Sequence, residues 1–154
     1  MSPADDIDRI MAVMGQAFDP HWGEAWNRRQ IEDSLMLPTT HYWLTNSAGD
    51  WPGEDCQTAG FALVRMGYGE AELLLIGVVP ALRGQGLGRL LLDQVIAQAA
   101  SSGASRLFLE MRQNNPAEYL YQQCGFEPVG QRPAYYRAAD GTRIDGITYA
   151  RNLP

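Results

Sequence analysis

The segment from Ile76 to Arg89 constrains the fold of this chain more than any other. It starts at the end of an apolar run, passes through Pro80-Ala81-Leu82, and reads Arg83-Gly84-Gln85-Gly86-Leu87-Gly88-Arg89 before a long periodic segment. A strand that leads through a glycine-rich loop into a helix presents the unpaired N–H groups and positive dipole end of that helix. Glycines let ligand oxygens approach the backbone, and arginines add charge-assisted contacts. The sequence therefore predicts an anion site at this junction.

The glycine spacing separates this loop from two common phosphate-binding loops. A mononucleotide P-loop requires Gly-Lys-Ser/Thr, whereas Gly88 is followed here by Arg89-Leu90. A dinucleotide loop reads G-x-G-x-x-G, whereas these glycines occupy alternate positions. The remaining alternative is a tight turn without a ligand. Three glycines between two arginines favour the binding function over that alternative.

Hydrophobic periodicity predicts helices and strands on both sides of the loop. Gly67-Tyr68-Gly69 is expected to join two strands into a hairpin, and Ser2 is expected to cap the first helix. Asn115 and Glu118 are expected to form a capping box on a short helix that ends at Gly125. The predicted helices cover residues 3–18, 24–37, 86–102 and 115–125, and the predicted strands cover 41–45, 58–66, 70–79, 106–111, 126–131 and 143–151. This order predicts one α/β domain over residues 1–154, with a mixed, mostly antiparallel central sheet and helices on both faces.

Composition limits the classes of function that the chain can have. The 154 residues carry a net charge of -6, which argues against nucleic-acid binding and favours a cationic acceptor such as an amine. The apolar runs are too short to cross a bilayer, and the acidic N-terminus does not resemble a signal peptide, so we expect a cytoplasmic protein. Two cysteines and two histidines are widely scattered, which argues against a disulfide framework and against a bound metal.

The loop sequence resembles a known family. Arg83-Gly84-Gln85-Gly86-Leu87-Gly88 is similar to the Q/R-x-x-G-x-G/A signature of the GNAT acetyltransferases, in which this loop holds the pyrophosphate of acetyl-CoA. Three further segments resemble the RimI-type subfamily, which acetylates the N-terminal alanine of a small-subunit ribosomal protein. They are residues 72–78, 107–112 and 120–126. The segment around Trp22 and Trp26 matches that subfamily only loosely, and it normally shapes the acceptor groove.

The resemblance implies roles for particular residues. The backbone of Ile76, Gly77 and Val78 would pair with the pantetheine arm of acetyl-CoA, and Asn115 would also contact this co-substrate. Glu110 would be the general base and Tyr121 the general acid. The cofactor-binding loop would comprise Arg83, Gly84, Gln85, Gly86, Leu87, Gly88 and Arg89. The spacing from Asn115 to Tyr121 is one residue shorter than in the subfamily, so the alignment of Tyr121 depends on the Gly125-Phe126 that follows.

Each catalytic role has a structural alternative. Glu110 ends the apolar run Leu107-Phe108-Leu109, where burial would raise its pKa toward a range useful for a base; it could instead be a solvated residue or a partner of Arg112. Tyr121 carries a proton at neutral pH, but its helical spacing also places it in a core stripe. Cys124 lies on the same stripe, which favours a packed thiol over a nucleophile.

Three functions remain open from the sequence. The first is acetylation of a protein N-terminus by direct attack of the amine on the thioester of acetyl-CoA. The second is acetylation of a small-molecule amine or a lysine, and the third is a non-catalytic acyl-CoA-binding module. The combination of Glu110 and Tyr121 argues against the third. The expected oligomeric state is a monomer or a weak dimer, since strands near the C-terminus could pair between subunits.

Overall fold

The computed structural model describes residues 3–154, so Ser2, the predicted cap of the first helix, lies outside the described residues. The helices are α1 (Pro3–Ala17), α2 (Arg28–Leu35), α3 (Leu87–Ser101) and α4 (Glu118–Gln123), with short 3₁₀ turns at Pro20–Trp22 and Pro80–Leu82. The strands are β1 (Thr40–Thr45), β2 (Gly60–Met66), β3 (Glu70–Val78), β4 (Arg106–Arg112), β5 (Glu127–Arg137) and β6 (Arg143–Asn152). None of the helices in residues 3–154 combines the length and the apolar character that crossing a bilayer requires.

The six strands form one mixed sheet in the order β1-β2-β3-β4-β6-β5. Every neighbouring pair is antiparallel except β3 and β4, which are parallel and are connected through α3. Helices cover both faces. Ile10, Val13 and Ile31 of α1 and α2 pack on one face, and Leu91 and Val95 of α3 pack on the other. The predicted α/β fold with a mostly antiparallel sheet is confirmed.

β3 and β4 separate part-way along their length. Their pairing runs from Glu70↔Arg106 to Leu73↔Leu109, and within the described chain it stops there. Opposite β2, Val64 pairs with Leu73 and Leu63 pairs with Leu75, so Leu74 is an inserted residue that forms a β-bulge. A bulge bends its strand and increases the local twist. The ends of the two strands therefore form the two sides of a cleft.

The second helix is shorter than the sequence prediction of 24–37. The Asn27 side chain accepts a hydrogen bond from the Gln30 N–H at 2.9 Å, and the Gln30 side chain accepts one from the Asn27 N–H at 2.8 Å. This reciprocal cap fixes the helix start at Arg28. The residues before it, including Glu24, therefore belong to the loop of residues 18–27 that connects α1 to α2, which we call the α1–α2 loop.

Two other predicted boundaries also change. Asn115 does cap the turn before α4, since its Oδ1 accepts the Ala117 N–H at 2.9 Å. The predicted capping box is wrong, because the Glu118 carboxylate instead accepts a hydrogen bond from the Tyr149 hydroxyl. The predicted strand 126–131 extends to Arg137. Its pairing with β6 is irregular between Arg132 and Tyr136, and this irregularity hides the second half of the strand from sequence periodicity.

Candidate active site

The cleft between β3 and β4 presents an unpaired strand edge. Ile76, Gly77 and Val78 pair with β2 on one side, while their other edge faces the gap left by β4. Unpaired backbone N–H and C=O groups at a strand edge can pair with an extended ligand. Backbone groups of alternate residues point to opposite edges of a strand, so only part of this segment can make the predicted contact with the pantetheine arm, and the Val78 carbonyl oxygen already accepts a hydrogen bond from the Arg83 Nε at 3.3 Å.

The glycine loop lies at the end of this edge and leads into α3. Gly84 and Gly86 have φ angles of +78° and +85°, a left-handed conformation that side chains disfavour. A Cβ built at either glycine meets no heavy atom within 4 Å in residues 3–154, so the surface above the loop is open. In the same residues no side chain caps the start of α3. Its first N–H groups are therefore available to an anion.

The remaining loop residues contribute in different ways. Gln85 is exposed, whereas the Leu87 side chain is buried in the core and only its backbone could meet a ligand. A Cβ at Gly88 would lie 3.4 Å from the Leu120 side chain, so Gly88 allows α3 to approach α4.

The two loop arginines also differ. The Arg83 guanidinium donates to the carbonyl oxygens of Ala17 at 2.7 Å and Val78 at 3.3 Å, so it ties the loop to α1 and β3. Arg89 is half-exposed on the first turn of α3, 3.7 Å from the Asp93 carboxylate. This contact is loose enough to leave its guanidinium available to an anion near the helix N-terminus.

Glu110 lies on β4 one residue beyond the last pair with β3. Its side chain is 18% exposed, and its Oε2 lies 3.5 Å from the Arg132 Nε. Its Oε1 is buried and has no hydrogen-bond partner among the described residues. Burial raises the pKa of Glu110, Arg132 partly offsets this, and Glu72 adds to it. A carboxylate with a raised pKa and a vacant acceptor atom is suited to receive a proton.

Two residues around Glu110 carried no sequence signal. A Cβ built at Gly146 would lie 2.6 Å from the Glu110 Oε1, so a larger residue there would displace the carboxylate. Arg132 approaches Glu110 from β5, and its guanidinium lies 5.0 Å from the centre of the Tyr135 ring. The sequence alternative that paired Glu110 with Arg112 is wrong. Both contacts depend on strand register, which local sequence does not reveal.

A groove of about 400 Å³ opens beside Glu110 on the sheet face that α1 and α2 partly cover. Its lining includes Glu70, Glu72, Phe108, Glu110, Arg132 and Thr148. The lining holds three carboxylates and two arginines, Arg65 and Arg132, and Arg65 forms an ion pair with Glu72 at 2.6 Å, so the net charge of the lining is slightly negative. Such a groove suits a cationic or peptide-like acceptor.

Tyr121 lies on α4 and is buried, 6% exposed. Burial raises the pKa of its hydroxyl, and the charges of Glu24 and Tyr136 raise it further. The hydroxyl therefore keeps its proton at neutral pH. Its ring packs 5.9 Å from Phe126, so the core position predicted from helical spacing is confirmed. The same residue can carry a proton and pack in the core.

A buried polar cluster joins the α1–α2 loop to the ends of β4 and α4. The Glu24 carboxylate accepts hydrogen bonds from the Arg112 Nε at 3.0 Å and the Asn115 Nδ2 at 3.1 Å. The Arg112 guanidinium lies 4.0 Å above the Trp22 ring. The Asn115 side chain, predicted to contact the co-substrate, is engaged here by Glu24 and by the Ala117 N–H. The sequence analysis assigned no role to Glu24.

The acetyltransferase (GNAT) family model matches residues 7–126, which include the glycine loop, Glu110 and Tyr121. This chain belongs to the acetyltransferase (GNAT) family. The GNAT assignment agrees with the separated strands, the glycine loop and the order of elements described above. The resemblance drawn from the loop sequence is confirmed.

Curated relatives place this GNAT chain near one group of enzymes. It is 37% identical over 97 residues to the [ribosomal protein bS18]-alanine N-acetyltransferase of Haemophilus influenzae, a match over 63% of this chain and 66% of that protein. It is 40% identical over 93 residues to the enzyme of the same name from Escherichia coli K12, over 60% of this chain and 62% of that protein. The matches thus span less than two thirds of these relatives' lengths.

A solved structure extends the similarity to nearly the whole chain. The ribosomal-protein-S18-alanine N-acetyltransferase from Escherichia coli superimposes with a TM-score of 0.82 and 26% identity, covering 99% of this chain and 90% of that one. The predicted RimI-like character of this GNAT domain is confirmed as a similarity.

Cys124 is a thiol packed in the core, as its helical spacing predicted. It is buried, and burial raises the pKa of its thiol, which keeps it in the unreactive protonated form. Cys56 is a free, exposed thiol in the loop between β1 and β2. Two aromatic residues lie near the site: Trp22 packs against Arg112, and the pKa of Tyr136 is raised first by burial and then by the charge of Glu110.

Proposed function

We propose that this GNAT chain transfers an acetyl group from acetyl-CoA to the α-amine of a peptide N-terminus, with the N-terminal alanine of a ribosomal protein as the acceptor and the cytoplasm as the compartment. The observation that carries the proposal is the Glu110 carboxylate, buried beside the open edge of β3 with a vacant Oε1. The names of the similar enzymes support this acceptor.

The residues present fit acetyl-CoA. The free edge of Ile76–Val78 can hydrogen-bond the amides of the pantetheine arm. The open loop at Gly84 and Gly86 and the uncapped start of α3 can hold the pyrophosphate. When bound, acetyl-CoA supplies the acetyl group as an activated thioester.

In the reaction, Glu110 accepts a proton from the amine and Tyr121 supplies one to the leaving sulfur. An α-amine has a pKa of about 8, so much of it is protonated at neutral pH. Glu110 removes a proton, directly or through a water, and the neutral nitrogen forms the new C–N bond as the C–S bond breaks. Tyr121 donates its proton to the departing sulfur, and the nitrogen then loses its second proton, which returns to Tyr121, to leave the amide and the free thiol of coenzyme A. Burial favours the protonated form in which Tyr121 acts as the acid, and it raises the pKa and thus the proton affinity of Glu110, which acts as the base in its deprotonated form.

The proposal is tested by incubating the protein with acetyl-CoA and three acceptors: a peptide with a free N-terminal alanine, the same peptide with a blocked N-terminus, and free polyamines. Acetylation of the free α-amine alone supports the proposal. Turnover of polyamines alone identifies a different acceptor class. Tight acetyl-CoA binding without turnover identifies a binding module.

Matched substitutions test the two roles. We expect Glu110→Gln to lower turnover by roughly 10²–10⁴-fold with acetyl-CoA binding retained, whereas Glu54→Gln, at an exposed position between β1 and β2 and away from the groove, keeps its rate. Tyr121→Phe should slow the chemical step, and Tyr119→Phe on the exposed side of α4 should not. An unchanged rate in Glu110→Gln or Tyr121→Phe removes that residue from the mechanism.

A further inference from the structure

Glu24 is partly buried against residues that are far from it in the sequence. Its side chain is 15% exposed and that of Arg112 is 10% exposed. The Glu24 carboxylate accepts hydrogen bonds from Arg112, which is 88 residues away in the sequence, and from Asn115, which is 91 residues away. One carboxylate oxygen thus accepts a hydrogen bond from the end of β4, and the other accepts one from the turn before α4.

The cluster connects three parts of the candidate active site. Arg112 lies on β4 two residues beyond Glu110, on the strand that carries the proposed base. Asn115 accepts the Ala117 N–H and so sets the turn from which α4 carries Tyr121. The charge of Glu24 also reaches the hydroxyl groups of both Tyr121 and Tyr136. The position of the α1–α2 loop is therefore linked to the base and the acid.

The loop is also held at its other side. The Ala139 N–H, after β5, donates to the His21 carbonyl oxygen at 2.7 Å. A Cβ at Gly23 would lie 3.2 Å from the Arg137 carbonyl oxygen, which shows how closely the loop approaches the end of β5. The loop thus bridges β4 and β5 beside Glu110, on the sheet face from which an acceptor can reach that carboxylate.

Fold stability alone is a poor explanation for this cluster. A buried ion pair is often neutral to stability when compared with apolar residues of similar volume, because desolvation offsets the attraction. Directional hydrogen bonds to two elements, in contrast, fix the relative positions of those elements. A carboxylate in this place is better suited to orienting the site than to stabilising the core.

We propose that Glu24 is a positioning residue, which holds the α1–α2 loop against β4 and α4 through Arg112 and Asn115 so that the acceptor is aligned with Glu110 and Tyr121. The proposal rests on the acetyl transfer proposed above. Because the cluster lies away from the glycine loop, Glu24 acts mainly on acceptor use, and its effect on acetyl-CoA is limited to the one contact that the resemblance assigns to Asn115.

Glu24→Gln tests the proposal with little change in volume. We expect kcat/KM for the acceptor peptide to fall about 10–100-fold, as for a misalignment near 1 Å, while the Kd of acetyl-CoA changes by less than about twofold. Glu32→Gln, an exposed glutamate on α2, is the control and should match the wild type. An unchanged kcat/KM in Glu24→Gln overturns the proposal, as does an equal loss of acetyl-CoA affinity.

A double substitution separates positioning from stability. Glu24→Leu with Arg112→Met replaces the ion pair by apolar side chains and should recover the melting temperature of the wild type. It still lacks the bond to Asn115, so we expect kcat/KM to stay at least about 10-fold low. A stable double variant with normal kcat/KM would show that Glu24 is only structural.

The proposed acetyltransferase function and the proposed positioning role of Glu24 can be tested by separate measurements. The indole N–H resonance of Trp22, which packs under Arg112, reports the docking of the loop by NMR without any turnover. If the wild type acetylates no amine, the proposed function fails. A Trp22 resonance that Glu24→Gln leaves unshifted refutes the positioning role, whatever the activity.

Discussion

The base role proposed for Glu110 depends on the surroundings of one atom, its Oε1. Its Oε1 is unpartnered within residues 3–154, and Gly146 leaves the space that this oxygen occupies. Unsatisfied buried polar atoms cost stability and are retained at sites where they have a use. The base and its surroundings are therefore best tested by changes of one or a few atoms.

Gly146→Ala adds one methyl group 2.6 Å from the Glu110 Oε1. The carboxylate is the movable partner, so we expect it to be displaced and turnover to fall roughly 10–100-fold. Gly130→Ala is the matched control, because its Cβ would meet Thr148 at an ordinary 3.7 Å. Steady-state rates of both variants check this, and equal rates would argue against a fixed position of the carboxylate.

Arg132→Gln removes the positive charge that opposes the raised pKa of Glu110. The pKa of Glu110 should rise further, because burial and Glu72 then act without opposition. A base works only when deprotonated, so the acid limb of kcat/KM should move to higher pH. The acceptor amine titrates identically in both enzymes, so the difference between their pH profiles isolates Glu110. A limb that stays in place or moves to lower pH contradicts this account.

At the scale of elements, β3, the glycine loop and α3 act together. The bulge at Leu74 and the end of pairing at Leu73 open the strand edge, and the strand then leads directly into the loop and the uncapped helix. The phosphates and the extended arm of one ligand can thus be held by backbone groups that follow one another in the chain.

Gly86→Glu should abolish acetyl-CoA binding, because it adds a side chain and a negative charge at the proposed phosphate site. The substitution also strains a left-handed residue, so a control with the same strain is needed. Gly103, at the other end of α3, has a φ angle of +88° and an equally open Cβ position. We expect Gly103→Glu to lose similar stability, about 1 kcal/mol, and to bind acetyl-CoA normally in calorimetry. Retained binding in Gly86→Glu would place the phosphates elsewhere.

At the scale of the whole molecule, the sheet consists of two parts that separate at the cleft. β1, β2 and β3 lie on one side, and β4, β6 and β5 lie on the other, joined by the short parallel pairing of β3 and β4. A ligand that fills the cleft contacts both parts and binds only the folded state.

Acetyl-CoA should therefore raise the melting temperature. At a concentration 100 times its Kd the stabilisation is about 2.7 kcal/mol, which corresponds to roughly 5–11 °C for a domain of this size. Thermal unfolding with and without ligand measures this shift, and Gly86→Glu should lose it. No shift in the wild type would mean that the cleft does not take acetyl-CoA.

The sequence by itself determined the features that depend on local backbone chemistry. Only glycine readily adopts the φ angles found at Gly84 and Gly86, and periodicity identified α3 and the β2–β3 hairpin because their contacts follow a regular spacing. Glu110 and Tyr121 were named through the family resemblance, and their roles stay predictions. The cap that starts α2 was also readable, since Asn27 and Gln30 have capping-box spacing, but periodicity led to a longer helix.

Only the tertiary structure decided which residues surround Glu110 and how the acceptor side is held. Gly146 and Arg132 reach the carboxylate through the register of β6 and β5, and Glu24 reaches Arg112 across 88 residues. Such contacts follow from how the strands and loops pack, and a buried charge finds its partners only after the chain has folded. Local sequence encodes backbone conformation, whereas the environment that raises the pKa of Glu110 exists only in the assembled fold.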